Sequence, residues 1–399
     1  MTDPIERAIA ALRRTPLIDG HNDLPMAMRE NSFYDFAACD IAKPQPELMT
    51  DIPRLREGQV GGQFWSVYVP SSLQGDAAVS ATLEQIDAVY AMVRRYPDVF
   101  ELAFTADDVY RAFARGKIAS LLGMEGGHSI ASSMGTLRMM HTLGVRYMTL
   151  THNDNVPWAD SATDEPLHGG LTVFGAEVVA EMNRLGMLVD CSHVAPDTMA
   201  DALRVSEAPI IFSHSSCRAV CDHSRDIPDA ILSKLADNAG VAMVTFVPQF
   251  VSQEYADWDA ECTEEVRRRC PDPDDRTVWR ATWEEVAASH EKAGTIPRVT
   301  LSDVADHVDH MRDVAGVSHI GVGGDYDGVL YQPEGLEDVS GYPALFAELA
   351  RRGYSDDELA GIAGRNVLRV LDRGEEVAVA LQGRREPSRA RLEDLDGGV

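Results

Sequence analysis

Short apolar runs alternate with amphipathic helix patterns along most of the chain. Apolar runs that are each followed by a helix are typical of parallel strands covered by helices on both faces. Eight such strands predict an α/β fold, a (β/α)8 TIM barrel. A doubly wound open sheet is the alternative, but it needs a glycine fingerprint after its first strand, where this sequence reads IDGHNDLP. The eight runs span residues 16–23, 62–69, 117–127, 147–152, 187–193, 209–214, 241–247 and 318–327.

One segment interrupts this alternation. Residues 249–298 follow the seventh predicted strand and contain three of the five tryptophans. Their periodicity and charge indicate an inserted helical segment on the barrel rim, which is either a lid or a plain surface elaboration. We therefore expect a single barrel domain over residues 1–399, carrying this insertion and ending in a polar tail over residues 375–399.

The composition narrows the classes of partner. The chain has 399 residues, 45% of them hydrophobic, and a formal net charge of −28. This charge repels nucleic-acid backbones and anionic lipid surfaces, so we expect neither as a partner. The N-terminal segment lacks the pattern of a signal peptide, and the sequence has no apolar stretch of about 18 residues that could span a membrane. We expect a cytoplasmic protein without a membrane anchor, and its six cysteines, which form no CxxC pattern, to be reduced thiols.

Imidazoles and carboxylates recur where the predicted strands end. In a barrel the carboxyl ends of all strands meet at one mouth, where catalytic residues collect. A histidine at one strand end is usually structural, but seven such side chains together favour a metal site. Five of them, three His, one Asp and one Glu, exceed the needs of one tetrahedral zinc and suit two divalent ions with a bridging Glu. The seven residues are His21, Asp23, Glu125, His152, His193, His214 and Asp325.

Other chemistry is less well supported. Cys191 could suggest a thiol nucleophile near His193, but a buried cysteine is usually inert. Asp325 and Asp327 in GGDYDG resemble part of a calcium loop whose other ligand positions are missing. The sequence contains no GxSxG, GxxxxGK[ST] or HExxH motif. We interpret the remaining histidines as structural or solvated.

Several motifs resemble the membrane dipeptidase (renal dipeptidase) family of the amidohydrolase superfamily. The resemblance runs from about residue 15 to about residue 372, apart from the 249–298 insertion. It rests on DGHNDLP, GGQFWSVYVP, EGGHSI, THNDNVPWAD, FSHSS, GGDYDGV and PEGLEDVSGYP.

The resemblance implies roles for individual residues. Two Zn²⁺ ions per chain would share Glu125 as a bridging ligand. His21 and Asp23 would complete one metal site, and His193 and His214 the other. His152 would contact the scissile carbonyl or the tetrahedral intermediate. Two further roles are implied: Arg225 would bind the C-terminal carboxylate of the substrate, and Asp325 would carry a proton from the bridging water to the leaving amine.

The implied activity is hydrolysis of L-Xaa-L-Xaa and L-Xaa-D-Xaa dipeptides, by attack of a metal-bridging hydroxide on the peptide carbonyl. Relatives are typically dimers, so a homodimer is expected. The alternative is another amidohydrolase that cleaves a cyclic amide, a lactone or a phosphoester. Several of these bridge their metals with a carboxylated lysine on the fourth strand, whereas YMTLTH contains no lysine. A protein whose metals are purely structural is a third hypothesis.

Overall fold

The computed structural model describes residues 3–270 and 276–397, which form a barrel of parallel strands surrounded by helices. Nine strands form one sheet. Their bounds are β1 Leu17–Asn22, β2 Val60–Ser66, β3 Phe100–Leu102, β4 Ile118–Glu125, β5 Val145–Thr149, β6 Leu188–Asp190, β7 Ile211–Phe212, β8 Val241–Val244 and β9 Ile320–Val322.

Helices connect the strands and cover the outside of the barrel. The α-helices are α1 Pro4–Leu12, α2 Leu24–Ser32, α3 Ile52–Glu57, α4 Asp76–Arg95, α5 Ala106–Ala114, α6 Met134–Thr142, α7 Val173–Leu185, α8 Pro196–Val205, α9 Asp229–Leu232, α10 Leu235–Asn238, α11 Pro248–Val251, α12 Gln253–Arg269, α13 Arg276–Ala293, α14 Leu301–Val314, α15 Tyr342–Arg351, α16 Asp356–Ala360, α17 Asn366–Gln382 and α18 Leu392–Leu395. Short 3-10 turns cover Gly127–Ile130 and Val317–His319, and a π-helical turn at Gly361–Arg365 joins α16 to α17.

Eight of the strands close into a barrel. The hydrogen-bonded order is β1-β2-β4-β5-β6-β7-β8-β9, and β9 pairs with β1 again. All these pairings are parallel. This confirms the (β/α)8 barrel and excludes the open sheet, because an open sheet would leave two edge strands.

The ninth strand, β3, was not predicted. It pairs only with the start of β4, with Phe100 opposite Ile118, and lies outside the closed ring. The strand has three residues, and only Phe100 is fully buried. Such a short segment has too weak a periodic pattern to predict a strand from the sequence.

The longer strands are buried along their whole length. Every residue of β1, β2 and β4 is buried, as expected for a sheet with helices on one face and the filled barrel interior on the other. Within the barrel, the ring of Tyr147 occupies space that Gly123 leaves free, since a Cβ at Gly123 would lie 2.0 Å from the Tyr147 Cζ atom. A strand glycine thus makes room for a large side chain below the mouth of the barrel.

Residues 249–298 contain most of α11, all of α12 and all of α13. Aromatic side chains pack between these helices, with the ring centroids of Trp258 and Trp283 6.2 Å apart. Trp283 also contacts Tyr331, at 5.8 Å between centroids, in the loop after β9. The segment therefore packs against a loop on the carboxyl side of the barrel.

The C-terminal boundary differs from the expected one. Helix α17 continues to Gln382, so residues 375–382 are helical instead of belonging to the predicted tail. Val377, Ala378 and Leu381 are buried, which continues the apolar stripe of the helix past the charged pair Glu375–Glu376.

None of the six cysteines forms a disulfide. No helix in the described ranges has both the length and the apolar character that a bilayer crossing requires.

Candidate active site

The carboxyl ends of the strands bring the predicted side chains together. His21 lies in β1 and Glu125 is the last residue of β4. The Nε2 atom of His21 is 3.3 Å from Oδ2 of Asp23 and 3.3 Å from Oε2 of Glu125. Asp23 lies just past the strand, at the N-cap of α2. These three side chains, almost completely buried, converge as the sequence predicts.

The other oxygen of Glu125 faces a second pair of imidazoles. Its Oε1 atom is 3.0 Å from Nε2 of His193 and 3.6 Å from Nε2 of His214. The two Nε2 atoms are themselves 2.9 Å apart. Each carboxylate oxygen of Glu125 therefore faces a different group of donor atoms, one that includes His21 and one that includes His193 and His214.

Two further predicted residues border these groups. The Nε2 atom of His152 is 3.9 Å from Oε1 of Glu125. Asp325 groups with His21 and Asp23, with one potential ligand atom from each lying within 4.8 Å of the others. Two similar triads in the described ranges are His21–Glu125–His214 and Glu125–His152–His193.

Several of these residues lie beyond the strands on which the sequence placed them. His152 and His193 follow the ends of β5 and β6, at Thr149 and Asp190, by three residues each. His214 lies two residues past β7, and Asp325 three residues past β9. His193 and Asp325 have positive φ angles of 68° and 57°, a left-handed backbone that residues other than glycine rarely adopt and that is common at functional sites.

Hydroxyl groups form hydrogen bonds with the Nδ1 atoms of His21 and His214. Nδ1 of His21 is 2.9 Å from the Tyr147 hydroxyl, which in turn donates to the carbonyl of Gly20 at 3.0 Å. Because that hydroxyl proton is used on the carbonyl, the oxygen accepts Nδ1–H, which fixes the His21 ring with Nε2 directed at Glu125.

His214 is held in the same way. Its Nδ1 is 2.8 Å from the Ser213 hydroxyl, which donates to Oδ2 of Asp190 at 2.6 Å. Asp190 also accepts from the Thr149 hydroxyl at 2.5 Å and from the Ser213 backbone N–H at 2.8 Å. A buried carboxylate thus orients a serine, and the serine orients the imidazole, an arrangement common behind metal-bound histidines.

Burial and mutual repulsion shift the titration of the site. Burial, together with the neighbouring charges of Arg225 and other histidines, holds the pKa of His193 and of His214 well below the usual range. Burial lowers the pKa of His152 to about 4. These three imidazoles are therefore neutral at pH 7, the form that offers a lone pair.

The carboxyl groups are shifted in opposite directions. Burial raises the pKa of the Asp325 carboxyl well above its usual range, and the charges of Asp23 and Glu125 add to this rise. Burial would also raise the pKa of Glu125, but His21 and His193 outweigh it and hold that pKa well below normal. The pKa values of two carboxyl groups in one site are thus shifted in opposite directions, an arrangement that acid–base chemistry uses.

Arg225 is 3% exposed, and neither Nη1 nor Nη2 has a hydrogen-bond partner. Its charge acts on His152, His193 and His214, so the guanidinium lies near the donor cluster. A buried guanidinium with unused donors is suited to an anionic ligand such as a carboxylate.

Some contributors were not predicted. They are Ser66, which donates to Oε2 of Glu125 at 3.1 Å, together with Tyr147, Asp190 and Ser213. The available signal was the presence of polar groups inside strand runs, as in YMTLTH, VDCSH and FSHSS. The contacts of Tyr147 with the Gly20 carbonyl and of Ser213 with Asp190 join residues 127 and 23 positions apart, so pattern alone could not show them.

The model of one protein family matches residues 5–385, and its description is Membrane dipeptidase (Peptidase family M19). The chain belongs to this family. Among curated relatives, an uncharacterized dipeptidase of Schizosaccharomyces pombe is 44% identical over 92% of this chain and 83% of its own length. Dipeptidase verJ of Clonostachys rogersoniana is 40% identical over 96% of this chain and 90% of its own length.

Solved structures of similar fold agree. The crystal structure described as dipeptidase AC, a metallo peptidase of family M19, is 25% identical with a TM-score of 0.74 and covers 90% of this chain and 98% of its own. The probable dipeptidase PvdM of Pseudomonas aeruginosa has a TM-score of 0.81 at 23% identity, over 94% of this chain and 99% of its own, which shows the fold. The M19 chain described here is thus a dipeptidase of a metallopeptidase family built on a (β/α)8 barrel.

Proposed function

We propose that this M19 chain is a dinuclear zinc dipeptidase that hydrolyses L-Xaa-L-Xaa and L-Xaa-D-Xaa dipeptides. The observation that carries the proposal is the placement of the two Glu125 oxygens, one 3.3 Å from Nε2 of His21 and the other 3.0 Å from Nε2 of His193. One carboxylate facing two donor groups is what a bridging ligand requires. A metallo peptidase from Rhodobacter sphaeroides, similar in fold, has been solved with a phosphinate mimic of the dipeptide L-Ala-D-Ala.

The side chains fit a pair of small divalent cations. Nε2 of His193 and Nε2 of His214 lie 2.9 Å apart beside the same Glu125 oxygen, which places both lone pairs near one coordination position. In the other group, Oδ1 of Asp23 is buried without a hydrogen-bond partner. His21, Asp23 and Glu125 would hold one ion, and Glu125, His193 and His214 the other. Imidazole and carboxylate ligands suit Zn²⁺.

Bound ions would supply Lewis acidity, which polarises the peptide carbonyl and lowers the pKa of the attacking water. Asp325 takes a proton from that water while the water oxygen bonds to the carbonyl carbon. The same carboxyl group then gives the proton to the amide nitrogen, and the C–N bond breaks to release the amine. His152 stabilises the negative charge that develops on the carbonyl oxygen.

Arg225 selects the substrate by its end group. A guanidinium with two free Nη atoms binds a carboxylate through parallel hydrogen bonds. If Arg225 holds the C-terminal carboxylate next to the cleaved bond, the enzyme accepts dipeptides and excludes longer chains. A homodimer and a cytoplasmic location are also part of the proposal, and they rest on the sequence and the family resemblance.

The test compares free and amidated dipeptides. Protein stripped of metal and reconstituted with Zn²⁺ should hydrolyse L-Ala-L-Ala and L-Ala-D-Ala, and should leave L-Ala-L-Ala-NH₂ and L-Ala-D-Ala-NH₂ uncleaved. Equal turnover of the amides would eliminate the role of Arg225. Turnover of a cyclic amide, a lactone or a phosphoester in place of dipeptides would favour a different amidohydrolase activity.

Metal analysis tests the bridge separately. We expect two zinc ions per chain at saturation, measured by elemental analysis after gel filtration. A single ion at saturation would contradict Glu125 as a bridging ligand while leaving the substrate specificity to the first test.

A further inference from the structure

Arg225 is buried without the ion pair that usually accompanies a buried charge. Within residues 3–270 and 276–397, Nη1 and Nη2 of its guanidinium find no hydrogen-bond partner, neither a carboxylate nor any other group. Lysines and arginines are rarely this deeply buried unless paired. Unused N–H donors can bind a ligand. A long unpaired side chain, however, has rotamer freedom, and ordering it at the moment of binding costs free energy unless its surroundings already hold it in place.

An aromatic ring lies against the guanidinium. The Cζ atom of Arg225 is 5.2 Å from the ring centroid of Phe250, a side chain that is 9% exposed. A cation–π contact attracts the guanidinium through the face of the ring and uses none of its N–H groups. Phe250 can therefore hold the arginine while every Nη donor remains available.

His223 supports both partners. Its ring centroid is 4.6 Å from that of Phe250, and its Nδ1 accepts the backbone N–H of Arg225 at 3.2 Å. The arginine is thus linked to the phenylalanine through both its side chain and its backbone.

The backbones on which the two residues lie are tied together. Phe250 belongs to α11, and Arg225 to the loop of residues 217–227 that follows β7. The Cys221 thiol contacts the Gln249 carbonyl at 3.5 Å, and the N–H of Asp222 donates to the Gln253 side chain at 2.8 Å.

A buried histidine joins the same two segments from α14. Nδ1 of His307 accepts the backbone N–H of Cys217 at 3.0 Å, and its Nε2 donates to the carbonyl of Val251 at 3.0 Å. The Arg225 loop and α11 are therefore held as one unit.

We infer that Phe250 is a positioning residue for substrate recognition, which holds Arg225 ready for the C-terminal carboxylate of the dipeptide. The inference rests on the proposed function, in which Arg225 binds that carboxylate. It also assigns a role to the start of the 249–298 segment, which sets the orientation of the carboxylate-binding group from the barrel rim.

The test is steady-state kinetics of the Zn²⁺-loaded enzyme with L-Ala-L-Ala. Phe250→Leu should raise KM by about 3- to 30-fold, the range of a desolvated cation–π contact, and leave kcat within about twofold. The carboxylate contact is the same in the ground state and the transition state, so its loss affects KM alone. Phe250→Trp, which keeps an aromatic face, should instead have a KM near the wild-type value.

A matched control is available elsewhere in the chain. Arg146 lies over the ring of Phe104 at 5.1 Å, and its Nε donates to the Phe104 carbonyl, outside the site. Phe104→Leu removes the same kind of contact and should leave KM unchanged. A comparable rise in KM in this control would mean that general destabilisation, not the loss of Arg225 positioning, explains Phe250→Leu, and would overturn the inference.

A double-mutant cycle shows whether Phe250 acts through Arg225. In an Arg225→Met background, Phe250→Leu should change KM by less than twofold, because the group that it positions is gone. The full effect of Phe250→Leu in that background would overturn the inference and leave the role of Arg225 intact. A wild-type KM in Arg225→Met alone would instead overturn the proposed carboxylate recognition, and the inference with it.

Discussion

Removing one hydroxyl tests how the barrel prepares its metal ligands. Tyr147→Phe deletes the oxygen that accepts Nδ1–H of His21 at 2.9 Å and donates to the Gly20 carbonyl at 3.0 Å. The Tyr147 side chain is completely buried, so water cannot take the place of the lost hydroxyl. His21 would then lose the hydrogen bond that selects its tautomer and fixes its ring.

The expected magnitude follows from these contacts. Loss of a hydrogen-bond partner behind a metal-bound histidine typically weakens metal affinity by about 10- to 100-fold. This corresponds to about 1.4–2.7 kcal/mol of binding free energy. The variant also removes the hydroxyl that donates to the Gly20 carbonyl and leaves the His21 Nδ1–H unsatisfied, which costs about 1–3 kcal/mol of folding free energy in the metal-free protein.

The assay is competition for Zn²⁺ between metal-free protein and a chelating indicator, which yields a dissociation constant for each ion. We expect the ion beside His21 to weaken and the ion beside His193 and His214 to change less. Tyr90→Phe is the control, because it also removes one tyrosine hydrogen bond to a carbonyl, that of Leu143 at 3.0 Å, away from the site. Zinc affinities of Tyr147→Phe within twofold of those of Tyr90→Phe would refute the reasoning.

Two further predictions concern other groups. Asp325→Asn should keep the wild-type zinc content and lose most of kcat, because the amide cannot accept the proton of the attacking water. A wild-type kcat in this variant would remove Asp325 from the mechanism. Burial lowers the pKa of His307 to about 4, so the unfolded chain binds a proton below about pH 6.5 that the folded chain does not. Between pH 6.5 and pH 4, His307 should lower the free energy of unfolding by about 1.4 kcal/mol for each unit that the pH falls. Urea unfolding at pH 7.5 and pH 5.5 should therefore show a smaller loss of stability in His307→Gln than in the wild type. Equal losses in the two proteins would contradict this prediction.

The sequence alone determined the type of barrel and the identity of its strand-end side chains. Apolar runs followed by helices are a local signal, and closure of eight parallel strands brings their carboxyl ends to one mouth whatever the loop lengths. The convergence of His21, Glu125 and His214 therefore followed from topology. Each of these residues needed only to lie at or shortly after a strand end, so errors of two or three residues in strand bounds did not matter.

Only the tertiary structure decided which groups support that cluster. The partners of Tyr147, Ser213 and Arg225 depend on how loops and rings pack, and packing at this scale is set by contacts between segments far apart in the chain. The short β3 strand and the extension of α17 to Gln382 were likewise decided by packing, because a few residues carry little periodic signal of their own. Local pattern thus specified the chemistry at the barrel mouth, and long-range packing specified its orientation.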